Sequence, residues 1–117
     1  MSAASARWTT AISDREQLLG QDTVRRMSSI FLEELEAQLS GALEAVRTGD
    51  LLSARRAMHS LGGNAGALDL LELATLAQQC EAACLAKDAS CAEALVREAI
   101  PLARENASDL RQRFGLT

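Results

Sequence analysis

Tyrosine is missing from this 117-residue chain, and aromatic residues of all kinds make up only 3% of it, as one tryptophan and two phenylalanines. Strands draw on aromatic and β-branched side chains, so a sheet-built core is excluded for want of material. Proline and histidine each occur once. The three cysteines, Cys80, Cys84 and Cys91, are odd in number and form no CxxC pair, which argues against a disulfide framework and for a reducing compartment. No stretch approaches the roughly 18 apolar residues of a membrane span, and the opening MSAASARWTTAISD lacks the apolar centre of a secretory signal. Basic charge is in deficit as well: 12 Lys and Arg stand against 16 Asp and Glu, a net charge of -4, so the chain carries no electrostatic footprint for nucleic acid. A monomeric cytoplasmic domain without direct membrane contact is expected.

What is abundant is alanine, leucine, glutamate and arginine, the mixture that favours helix. Residues 1–11 read as a linker or a strap whose Trp8 covers an edge of the core, followed by one domain over 12–116. Ser13-x-x-Glu16 has capping-box spacing ahead of Leu18-Leu19, which predicts a short helix ending at Gly20. Val24, Met27, Phe31, Leu35, Leu39, Leu43 and Val46 recur every three or four residues and predict a long helix. Thr48-Gly49-Asp50 supplies its stop and the next cap. Leu51, Ala54, Met58, Leu61, Ala65 and Leu68 form the seam of the next helix. Asp69-x-x-Glu72 and Ser90-x-x-Glu93 read as two further capping boxes. They open helices with buried lines Leu73, Leu76, Cys80, Cys84 and Leu95, Ile100, Leu102, Leu110, Phe114, the last kinked or interrupted by Pro101. The short connections predict an all-α fold, an antiparallel up-down four-helix bundle with a short extra N-terminal helix.

The stretch MHSLGGNAG, Met58 to Gly66, holds the only histidine and three glycines within a helical pattern. Glycine costs roughly 1 kcal/mol relative to alanine in a helix interior, a large sacrifice in a domain whose net stability is about 5–15 kcal/mol. At about 100° per residue, His59 points away from the apolar seam, with Arg55, Gly62, Gly63 and Gly66 around it and Arg56 at the margin. Bare backbone beside an outward imidazole suits the close approach of another protein. An open helix face is no pocket for a hydrolase triad. A metal site of His59 with Cys80 and Cys84 conflicts with the buried line on which both thiols lie. Nucleophilic catalysis by the imidazole is the remaining chemistry.

Ala57-Met58-His59-Ser60-Leu61-Gly62-Gly63, preceded by Phe31-Leu32-Glu33-Glu34-Leu35 and Thr48-Gly49-Asp50 and followed by Leu73, Leu76 and Glu81, resembles a histidine-containing phosphotransfer (HPt) domain of two-component phosphorelays, over about residues 14–114. The family signature H-x-L-K-G is matched at His59, Leu61 and Gly63. Gly62 stands where the family usually has Lys, and Asp69 where it often has Gly. The resemblance implies that His59 accepts a phosphoryl group on Nε2 from a receiver aspartyl phosphate or a sensor kinase and passes it to a response-regulator aspartate. It implies that Glu81 orients Nδ1, and that Arg55, Arg56, Ser60, Gly62, Gly63 and Gly66 form the phosphoryl or receiver-docking surface, with an arginine in place of the missing lysine. The implied partners are a receiver domain and a hybrid sensor kinase, of which this chain could be the cytoplasmic tail. No cofactor of its own is implied, since Mg²⁺ belongs to the receiver. No P-loop or kinase glycine loop occurs, so a phosphohistidine protein without kinase activity is expected. The alternative is an HPt-like module that docks a receiver or kinase and regulates it without transferring phosphate.

Overall fold

The computed structural model describes residues 3–116, with side chains from Trp8 onward, and the described residues form five helices and no strand. These are α1 (Ala3–Leu19), α2 (Gln21–Thr48), α3 (Leu51–Ala67), α4 (Leu71–Leu85) and α5 (Ala89–Phe114). α3 packs on α2 and α4, α4 on α5, and α5 back on α2, so four helices close a ring around one core. α1 lies mainly against α2.

The N-terminal helix is longer than its capping-box spacing predicts. Residues 3–11 of the expected strap are helical, while residues 1 and 2 lie outside the described residues. Ser13 caps nothing: its Oγ donates to the Thr9 carbonyl at 3.0 Å within α1. Burial of Trp8 and Ile12 holds the helix to the core, which tertiary packing achieves for segments that would be marginal alone. Two polar clasps add to it. Arg15 Nη2 donates to Asp69 Oδ1 at 2.9 Å, and Arg113 reaches Ser13 Oγ at 3.0 Å and pairs with Glu16.

α2 ends where expected, on Gly49 in the left-handed region (φ 81), whose amide donates to the Ala45 and Val46 carbonyls. Asp50 then caps α3, accepting from the Ser53 amide at 3.1 Å and the Ser53 hydroxyl at 2.7 Å, bonds that hold its carboxyl below the usual range. The two later boxes fall elsewhere. α4 starts on Leu70 with no side-chain cap, and Asp69 takes a left-handed turn conformation (φ 57) with its carboxylate on Arg15. α5 is capped by Asp88, whose side chain accepts from the Cys91 amide at 3.0 Å, so Ser90 lies inside the helix. Pro101 does not interrupt α5, which runs unbroken through it. Pro101 is exposed, so its ring and missing amide fall on the solvent side, where the loss of one helix hydrogen bond is easiest to bear.

Candidate phosphotransfer site

α3 buries Ala54, Met58, Leu61 and Ala65, so its pitch turns position 59 to the surface. The His59 side chain is 80% exposed. α4 buries Ala77, Cys80 and Cys84, and the same periodicity sets Glu81 at the α3–α4 seam with 22% of its side chain exposed. The two meet: His59 Nδ1 lies 2.8 Å from Glu81 Oε1. The neutral tautomer that fits this contact carries its proton on Nδ1 and donates it to the Glu81 carboxylate, which only accepts. Nε2 is then the nitrogen with the free lone pair, directed away from the carboxylate.

The glycines separate into two kinds. A Cβ on Gly62 would stand 3.1 Å from the Ala77 Cβ, whereas Gly63 and Gly66 have nothing within 4 Å of that position. Gly62, half-buried, is therefore also a point of close packing between α3 and α4. The contact brings the helices near enough for the short His59–Glu81 bond. Gly63 and Gly66 leave bare backbone beside the imidazole. Ser60 is exposed next to it.

Arg55 is half-buried and Arg56 exposed, and neither makes an ion pair or hydrogen bond among the described residues. Burial pushes the Cys84 thiol up, against the smaller opposing effects of its hydrogen bond with Cys80 and of the Arg55 charge. On Asp50 the Arg56 charge adds a smaller lowering to that of the Ser53 hydrogen bonds. Asn64 Nδ2 donates to Glu34 Oε2 at 3.0 Å and ties α3 to α2, a contact across 30 residues that local spacing does not announce.

His59, Cys80 and Cys84 do not gather into a metal site: among the described residues no three His, Cys, Asp or Glu side chains stand together as ligands. Cys80 is fully buried, with its thiol pushed up to about 12 by that burial first and by its neighbour Cys84 next. A thiol so placed resists ionisation, and metals bind the thiolate. No helix among the described residues is long and apolar enough to cross a membrane.

Residues 26–113 match the family model of the Hpt domain. No curated protein and no solved structure matches the chain. The matched stretch contains His59, Glu81 and all of α3 and α4, and it leaves out α1. Helices, outward histidine and family match converge, and the chain belongs to the Hpt family of two-component phosphotransfer.

Proposed function

We propose that this domain is a phosphorelay intermediate in which His59 carries the phosphoryl group. Nε2 attacks the phosphorus of a receiver aspartyl phosphate or of a sensor kinase's phosphohistidine. The P–O or P–N bond to the donor breaks, and an N–P bond forms on His59. The reverse sequence delivers the group to a response-regulator aspartate. Throughout, Glu81 holds the proton on Nδ1, so the ring leaves as neutral imidazole. Mg²⁺ is assigned to the partner receiver, and α2–α5 are taken to run up and down. The observation that carries the reading is the 2.8 Å bond from His59 Nδ1 to Glu81 beneath an 80% exposed imidazole. Incubation with a phosphorylated receiver tests it: acid-labile label must appear on the bundle. Docking without label identifies a regulatory module that transfers nothing.

Glu81→Ala is expected to slow transfer about tenfold, equivalent to about 1.4 kcal/mol of barrier. It should also raise the fraction of rings protonated on Nε2. Imidazole nitrogen shifts that stay unchanged in the variant would remove Glu81 from the site.

Gly62→Lys restores the charge usual in the family, and an ammonium there should lengthen the lifetime of the phosphohistidine. The helix gains roughly 1 kcal/mol in propensity, but the new Cβ crowds Ala77. Thermal melting should therefore show no gain in Tm. A clear rise in Tm would mean that α4 yields freely. Arg55→Ala should slow transfer more than Arg56→Ala, because Arg55 is half-buried and Arg56 exposed; equal, unchanged rates would leave the phosphoryl group without an arginine partner.

A further inference from the structure

Two of the large apolar side chains that the fold leaves exposed flank the imidazole: Leu52 on α3, 51% exposed, and Leu85 on α4, 65% exposed. At about 100° per residue, Leu52 falls within about 20° of His59 on the α3 surface, and Leu85 stands one turn after Glu81, turned about 40° from it. Gly62 approaches Ala77, while His59, earlier on α3, meets Glu81, later on α4, so the two helices run antiparallel here. That register carries Leu52 and Leu85 to the same side of the imidazole, toward the start of α3 and the end of α4. On the other side stand Gly63 and Gly66, which have no side chain to offer. Charge on this face is not acidic either. α3 carries Arg55 and Arg56 and no acid, and the one acid of α4 beyond its first turn is Glu81, which is engaged by His59 Nδ1.

We propose that Leu52 and Leu85 are the apolar anchor of the docking surface, and that their occupant is a receiver domain with an apolar patch to one side of its phosphorylated aspartate. The inference deepens the function proposed for His59 and rests on it for the occupant, because whatever exchanges a phosphoryl group with Nε2 must touch this face. A standard interface covers about 800 Å² per partner, a disc about 16 Å in radius, and even one of half that area reaches about 11 Å. Leu52 lies about 10 Å along α3 from His59, and Leu85 about 6 Å along α4 from Glu81. Both therefore fall inside the footprint of a partner centred on the imidazole.

Covering the two leucines removes apolar area from water, which is the driving force the bare glycine side cannot supply. The incoming phosphoryl group and the carboxylate that bears it meet Arg55 and Arg56 rather than acids, which favours their encounter. Since the anchor occupies one side only, it also fixes the orientation in which the partner's aspartate faces Nε2.

The test titrates the intact domain with a response-regulator receiver domain, selected from a panel for tightest binding to the parent, and follows amide chemical shifts and the rate of transfer. Glutamine replaces leucine, since the two have similar helix propensity and neither is charged. The double variant Leu52→Gln with Leu85→Gln is expected to weaken receiver binding tenfold or more and to raise KM for transfer by a similar factor, with kcat and labelling by phosphoramidate unchanged. Leu18→Gln, at an exposed position on α1, should bind as the parent does. Binding that weakens in the double variant while no label reaches His59 would remove the transfer reading and uphold the anchor. The anchor is overturned if the double variant binds at parental strength, if Leu18→Gln weakens binding as much, if phosphoramidate labelling falls in step with binding, or if no receiver of the panel binds the parent.

Discussion

His59→Gln folds like the parent and takes up no phosphoryl group, from a phosphorylated receiver or from phosphoramidate: this is the largest effect expected of any single substitution. The chain has no second histidine to substitute. Position 59 is solvent-exposed, so the change removes no core volume and should leave helix content and Tm within the small range of surface substitutions, about ±0.5 kcal/mol. Glutamine keeps a polar group near Glu81 but has no nucleophilic ring nitrogen. The measurement is acid-labile label on intact protein, paired with a thermal melt. Label on the variant would place the phosphorylated residue elsewhere.

Gly63→Leu should separate two routes to the same histidine. Gly63 lies one turn after His59 on its face, and nothing in the molecule stands within 4 Å of a Cβ placed there. Leucine in an open helical position gains nearly 1 kcal/mol in propensity over glycine, so Tm should hold or rise. In the proposed function, the added side chain stands where a receiver's aspartate would come in line with Nε2. Misplacement by about an ångström is enough for roughly a 100-fold loss of rate, and receiver-dependent transfer should fall at least that far in both directions. Phosphoramidate needs less room and should still label His59. An unfolded variant would assign Gly63 to packing, and undiminished receiver transfer would move the docking surface off this face.

Much of the helical pattern was legible because the chain keeps local and tertiary demands aligned. Val24, Phe31, Leu35, Leu39 and Val46 recur at helical spacing and are all buried on α2, and Gly49-Asp50 combines a left-handed stop with a side-chain cap in adjacent residues. The capping boxes misled for a common reason. Ser13/Glu16 and Ser90/Glu93 prove to be ordinary i, i+3 pairs within a helix, and for Ser13 and Asp69 what decided between the readings was distant. Ser13 is helical because Trp8 and Ile12 are buried by the rest of the fold, and Asp69 turns rather than caps, with its carboxylate engaged by Arg15, 54 residues away. The glycines show the same limit. A helical wheel places Gly62 and Gly63 beside His59 alike, and only the neighbouring helix reveals that one abuts Ala77 while the other faces open space. Glu81 could be set in register from the helix pattern, but its distance to the ring depends on the α3–α4 spacing, which no single helix encodes.

The inner face of α5 has a further consequence. Through its middle it buries Ala99, Ala103 and Ala107, while on the opposite, exposed side Pro101 has no amide to donate. Each methyl removes little apolar area from water compared with a leucine, so this section is secured by nearness to α2 and α4 rather than by bulk. The ends of the helix are better anchored, by Asp88 at one and by Phe114, whose carbonyl accepts from Arg25 at 2.6 Å, at the other. Stability along the chain is consequently uneven: a fluctuation that opens the centre of α5 breaks fewer large contacts than one that opens α2 or α3, and its free-energy cost lies toward the low end of the range between fraying and global unfolding.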